Sequence, residues 1–244
     1  MFPFDLSVWL NHFEYHAQHP CSLPSTLRDS LTTAERALIA RSIAVFQLGE
    51  CSEGRTLLRA AERFAARHAA QGFTRIVALL IGEEQRHAAL LRDFMADHAI
   101  APRHSDWTDG IFRRVRRLAG LELYIHVLIS AELVGIVYYR ALESVTGCQR
   151  LRVLCRMLVA DELAHVGFES QLLTALRARR IAPLRIALRG AHRTFVAGAA
   201  LVVWLTHRQV LRAAGHRARS FMRMCLAQHD FYLEPARTPL AAFP

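Results

Sequence analysis

Two short stretches of this chain share one spacing of chemically useful residues. EEQRH, Glu83 to His87, and DELAH, Asp161 to His165, each contain Glu-x-x-His: Glu84 with His87, and Glu162 with His165. Residues three apart on a helix lie on nearly the same face, so each motif offers one carboxylate and one imidazole to a common point. Glu84 follows Leu79, Leu80 and Ile81, and Glu162 follows Met157, Leu158 and Val159. Two further acids sit in apolar sequence. Glu132 lies among Ile125, Leu128, Ile129, Ile136 and Tyr139, and Glu50 stands in QLGECSEG. A lone carboxylate in an apolar environment costs several kcal/mol unless it is paired or bound to a metal. One Glu-x-x-His arises readily by chance; two of them, interleaved with two embedded acids, point to a metal site. Glu53 lies one turn after Glu50 and competes with it. Glu50 is preferred because it continues the face of Ile43, Phe46 and Gln47, which Gly54 and Leu57 extend.

The order along the chain is Glu, Glu-x-x-His, Glu, Glu-x-x-His, one unit per helical segment. This is the ligand order of helical bundles that hold two iron or two manganese ions. Two divalent ions close together need several negative ligands; carboxylates bridge them and an imidazole terminates each. Mixed oxygen and nitrogen donors suit iron or manganese. Two iron ions are expected on Glu50, Glu84, His87, Glu132, Glu162 and His165, and a manganese–iron pair fits the same donors. A metal-bound imidazole commonly donates its other N–H to a carboxylate behind it. Each motif is preceded by an acid, so Asp161 is expected to orient His87, and Glu83 to orient His165.

Long helices must position these residues. The pattern predicts a short amphipathic helix over 5–17. Thr32 and Glu35 are spaced as a capping box, and a helical pattern runs from there to about His68. Helices follow over about 74–98, 110–146 and 149–180, with Gly120 a break in the third. Ser105, Asp106 and Thr108 are N-cap candidates and Gly147 a C-cap candidate. Two more helical segments cover about 184–214 and 216–231. No period-2 pattern, repeat or low-complexity tract interrupts them. The reading is a single all-α domain: an antiparallel four-helix bundle over about 33–180, with additional N- and C-terminal helices packed on its outside.

Composition bounds the rest. The chain has 244 residues, 52% of them hydrophobic, enough for a core without disulfides. All 31 basic residues are Arg, against 21 acids, a net charge of +10. Such a balance fits a compositional bias of the genome, or an acidic partner such as RNA, an anionic membrane surface or an acidic carrier protein. The five cysteines show no CxxC spacing and fit a reducing, cytoplasmic setting. The N-terminus has no basic region of a signal peptide. The longest apolar run, Phe195–Leu205, spans 11 residues, short of the roughly 20 of a membrane-crossing helix. That segment reads as a helix packed on the bundle, a lid over an apolar pocket, or a helix resting on a membrane surface.

Over about 33–180 the sequence resembles the ferritin-like, non-haem di-iron carboxylate superfamily. GECSEG, EEQRH and the overall size are similar to aldehyde-deformylating oxygenases. DELAH resembles the Asp-Glu-x-x-His of bacterial di-iron monooxygenases and ribonucleotide reductase small subunits, and the tRNA-hydroxylating di-iron enzymes share size and ligand pattern. Departures narrow the choice. A reductase small subunit would carry a radical Tyr where Leu91 stands. A methane-type hydroxylase would carry Thr at Ile136, and an extra-histidine N-oxygenase His at Leu158. A rubrerythrin would add a CxxC-type iron site. The resemblance implies a stand-alone oxygenase that uses O2 and an electron donor to oxidise a hydrophobic organic substrate, free or carrier-bound. Gly135, one turn from Glu132, is expected to leave space beside the metals or to let helices approach; Tyr138 and Tyr139 line the pocket or fill the core. A tRNA-modifying hydroxylase is the alternative, with Arg113, Arg114, Arg116, Arg117, Arg177, Arg179, Arg180 and Arg185 as phosphate contacts. A ferroxidase or iron-storage protein is the third reading.

Overall fold

The computed structural model describes residues 5–51, 54–104 and 120–233. Among these residues the chain is all α, with no strand. Helix α1 spans Leu6–Gln18, α2 Thr33–Glu50, α3 Arg55–His68, α4 Phe73–Asp97, α5 Leu121–Ser144, α6 Gln149–Arg177, α7 Ala182–Ala213 and α8 Ala218–Leu233. Glu53, the N-cap candidates Ser105, Asp106 and Thr108, and the Arg-rich segment with Arg113, Arg114, Arg116 and Arg117 lie outside the described residues.

Local chemistry sets the helix starts. At α2 both halves of the capping box form: Thr32 Oγ1 accepts from the Glu35 amide at 3.2 Å, and Glu35 Oε2 accepts from the Thr32 amide at 2.8 Å. The other Glu35 oxygen accepts from Thr146 Oγ1 at 3.0 Å and from the Gly147 amide, so the start of α2 is tied to the end of α5. Helix α6 has no capping side chain at Cys148; instead the Asp29 carboxylate accepts from the amides of Gln149 and Arg150.

One boundary differs from the sequence reading. The pattern predicts a single helix to about His68, but the helix ends at Glu50 and α3 restarts at Arg55. Gly54 stands at φ +63, and a Cβ there would come within 2.5 Å of Ile81 Cγ2. The junction therefore presses on α4 where only a glycine fits, and it leaves Glu50 at the last turn of α2.

Helix α1 packs on α4 with Trp9 and Phe13 buried, and Trp9 Nε1 donates to Gln171 Oε1 at 2.9 Å. Helix α4 packs on α2, α3 and α6, and α5 packs along α6. Phe46 of α2 stacks on Tyr138 of α5 with ring centroids 3.6 Å apart. Helix α7 lies on α5, α2 and α8. Two buried polar pins hold it: Ser130 Oγ meets His192 Nε2 at 2.9 Å, and Ser42 Oγ meets His207 Nδ1 at 2.7 Å. The backbone leaves helical geometry at His207 (φ −111, ψ 17).

Among the described residues, two helices would pass by length and composition for membrane-crossing ones, although the uninterrupted apolar run is short. The apolar window of α5 is 78% buried within the protein and that of α7 only 22%. Outward-facing Leu201 and Leu205 of α7 are 43% and 51% exposed.

Three histidines meet where α5, α7 and α8 join. His126 and His192 stack at 3.8 Å between ring centroids, and His192 meets His229 edge-on at 5.0 Å. Arg177 contacts His126 and Asp230 contacts His229. Burial, together with the neighbouring His126 and His229, drops His192 to about 2; burial and Arg177 bring His126 to about 4. In the unfolded chain both titrate near 6.5. Below that pH the unfolded state binds more protons than the folded one, so stability falls as pH drops from about 6.5 toward 4. Thermal unfolding followed by circular dichroism between pH 7.5 and 4.5 should show this fall, and His192→Asn should flatten it. An unchanged slope in the variant would place the acid sensitivity elsewhere.

Candidate metal centre

Helices α2, α4, α5 and α6 bring all six sequence-predicted ligands to one place. Ligand atoms of Glu50, Glu84, His87 and Glu162 lie within 4.8 Å of one another, and so do those of Glu84, Glu132, Glu162 and His165. The two groups share Glu84 and Glu162. The i, i+3 spacing does what helical geometry requires: His165 Nδ1 stands 3.5 Å from Glu162 Oε2 on its own helix and 3.1 Å from Glu84 Oε1 across the interface. His87 Nδ1 stands 3.4 Å from Glu162 Oε1. The two imidazoles lie nearly parallel, centroids 5.7 Å apart.

The outer ring nitrogens are taken. His87 Nε2 meets Asp161 Oδ2 at 3.0 Å, and His165 Nε2 meets Glu83 Oε2 at 2.8 Å. Each acid thus serves the histidine of the other motif, in the crosswise arrangement the sequence suggests. This leaves both Nδ1 atoms aimed at the carboxylates. Glu83 is itself held by Arg86, 3.0 Å away. His16 of α1 reaches toward Glu83 and Asp161 at 3.8 and 3.9 Å. On the other side Tyr139 donates to Glu50 Oε1 at 2.6 Å.

The electrostatics are those of a site short of positive charge. Glu132 is 4% exposed and Glu162 is 3% exposed. Burial and the neighbouring Glu84 and Glu162 push the Glu50 carboxyl well above the ordinary range; burial with Glu169 and Glu162 does the same to Glu132. Burial alone would raise Glu162, but hydrogen bonds with His165 and His87 hold it at about 2. His87 rises to about 10 because Asp161 and Glu162 outweigh its burial. Both Glu132 oxygens are buried with no amide, hydroxyl or basic hydrogen-bond partner, and Glu84, Glu162 and the two imidazole Nδ1 atoms face one another at 3.1 to 3.5 Å. Buried polar atoms left in this way ask for a cation between them. Four carboxylates and two imidazoles in two overlapping groups fit a pair of divalent ions.

A cavity of about 150 Å³ opens beside the cluster. Glu50, Glu84, Glu132 and Glu162 form its polar side; Gly135, Tyr139, Leu128, Ala199, Val202 and Val203 form the apolar one. Gly135 thus borders the open space, and a Cβ there would meet only Tyr139, at 3.9 Å. Tyr138 is fully buried and bonds to Ser42 rather than lining the cavity. The apolar wall comes partly from α7, whose inner face closes the cavity.

Three participants were not foreseen. Glu169 is fully buried beside Glu132; its place four residues after His165 and seven after Glu162 was a readable signal. His16 approaches from α1, and nothing in its sequence setting marks it. His207 is brought to the cavity wall by the break in α7. Of the proposed phosphate contacts, Arg177 and Arg180 both pair with Glu122, while Arg179 and Arg185 are exposed. Comparison with protein families, with curated proteins and with solved structures finds no match.

The crosswise acids give a direct test. Asp161→Asn and Glu83→Gln keep shape but weaken the acceptor behind each imidazole, and loss of such an outer partner costs about 10- to 100-fold in metal affinity. Competition between the protein and a chelating dye for Co²⁺ should show that loss with the helical content unchanged. Unaltered affinity in both variants would mean that His87 and His165 are not oriented for a metal.

Proposed function

We propose that this chain is a ferritin-like di-iron oxygenase, with α2, α4, α5 and α6 as its four-helix bundle, acting on a small apolar organic substrate. The observation that carries this reading is the pair of overlapping four-residue groups that share Glu84 and Glu162. Glu84 and Glu162, common to both groups, would serve both ions, with Glu50 and His87 completing the set for one and Glu132 and His165 for the other. Iron is the metal of choice for a mixed carboxylate and imidazole set next to a substrate-sized cavity, and manganese shares the donor preference. Bound iron would supply the electrons that reduce O2.

The remaining roles belong to the chain itself. Asp161 and Glu83 hold the outer ring nitrogens, which would leave Nδ1 of each imidazole as the donor atom toward a bound ion. Tyr139 restrains the Glu50 carboxylate. Val202, Val203 and Leu128 exclude water from the cavity and favour an apolar substrate body against the carboxylate wall. An apolar cavity beside the cluster favours an organic substrate over iron storage. The engagement of Arg177 and Arg180 with Glu122 removes two contacts that a tRNA reading needs.

Elemental analysis of protein purified from iron-supplemented cells tests the reading. About two ions per chain, mostly iron, are expected for a centre of this ligand set. Glu132→Ala and His165→Ala should each lose most of that metal while keeping helical content. Wild-type protein without metal, or variants that load as wild type does, would overturn it. Large symmetric assemblies taking up many irons per chain would point to storage instead.

A further inference from the structure

Glu169 is the buried acid to which the centre described above gives no task. It sits on α6 seven residues after Glu162 and four after His165, hence on the face that carries both. It is 0% exposed. No amide, hydroxyl or basic group donates to either of its carboxylate oxygens, and its hydrogen-bonding neighbour is another acid, the Glu132 carboxyl. It stands against Glu132, whose own oxygens also lack such donors, and it feels the charges of His165, Glu84 and Glu162.

A side chain of this size could fill the same space as Gln, Leu or Met at far lower desolvation cost. Packing therefore does not account for a carboxylate here. A positive charge would, and the nearest place for one is the group formed by Glu84, Glu132, Glu162 and His165. Glu169 is not among the atoms within 4.8 Å of one another in that group. It lies against Glu132, a member of that group.

We propose that Glu169 is a fifth carboxylate of the centre, a ligand held in reserve for the divalent transition-metal ion on the Glu132–His165 side. The proposal rests on the metal reading above. It bears on one of the two ions, the one on the Glu132–His165 side, which would tolerate a change of ion charge or of ligand geometry through it.

The test compares chelator-stripped and Mn²⁺-loaded protein for wild type, Glu169→Gln and Glu169→Leu, by thermal unfolding and by metal content after gel filtration. Glu169→Leu removes an uncompensated buried carboxylate, so the stripped variant should melt higher than stripped wild type. Both variants should gain less stability from Mn²⁺ than wild type and should retain about one ion instead of two, given the ligand count of such centres. Opposite signs in the two states are the signature, because a purely structural carboxylate would shift both the same way. Should Glu169→Leu fail to fold, the isosteric Glu169→Gln decides by metal retention alone. Equal Mn²⁺ stabilisation and equal retention in wild type and variants would overturn the role of Glu169 while leaving the metal reading intact. Wild type that gains nothing from Mn²⁺ would overturn both.

Discussion

The fold is organised around an electrostatic debt. Glu50, Glu84, Glu132, Glu162 and Glu169 meet between apolar helices, and among the described residues His87 and His165 stand with them as bases. Removing carboxylates from water costs several kcal/mol each unless cations or donors compensate. Helix α5 shows how little the site can rely on solvent: Glu132 is fixed between Ile129, Leu133 and Ile136, all fully buried. Such an arrangement lowers stability unless something positive is bound, which is what a site built for cations looks like before any reaction is considered. The shifts within the cluster say the same. Two imidazoles are driven to hold protons, and the carboxyls of Glu50, Glu132 and Glu169 are driven to take them up, because burial among like charges favours whatever positive charge is at hand.

Much of this was written in the sequence. The two Glu-x-x-His units, the preceding acids and Glu132 lie on long helices, where spacing converts directly into a shared face. The crosswise hydrogen bonds were readable for the same reason, since an acid one residue before each motif projects beside it toward the neighbouring helix. The capping box at Thr32 was equally local. The break between α2 and α3 was not legible, because the need for a glycine at Gly54 comes partly from Ile81, 27 residues away in sequence. Glu169 was on the right face, but a helix face alone does not tell a buried acid from an exposed one. The pins Ser130–His192 and Ser42–His207 join residues 62 and 165 apart, and no pattern within one helix announces such pairs.

Helix α7 carries two apolar surfaces with different consequences. Its inner side closes the cavity with Ala199, Val202 and Val203, so the enclosed space depends on the docking of this helix. Its outer side exposes Leu201 and Leu205. Apolar contacts are non-directional and would let such a helix slide along the bundle. The buried hydrogen bonds of His192 and His207 remove that freedom, since a shifted register would strand their partners without acceptors or donors. Specificity of docking, rather than net stability, is what these polar pins contribute.

The same pins connect the cavity wall to the cluster. Ser42 lies eight residues before Glu50 on α2, about two helical turns, and it bonds both His207 of α7 and Tyr138 of α5. The next residue, Tyr139, holds the Glu50 carboxylate. Phe46 stacks on Tyr138 between these two links. A displacement of α7 therefore acts on α2 and α5 at the points from which Glu50 is positioned, through packed rings and short hydrogen bonds rather than through a loop. Close-packed interiors transmit such strain because they have no slack to absorb it. The helix that walls the cavity and the carboxylate at the edge of the cluster are thus joined through Ser42, Tyr138 and Tyr139.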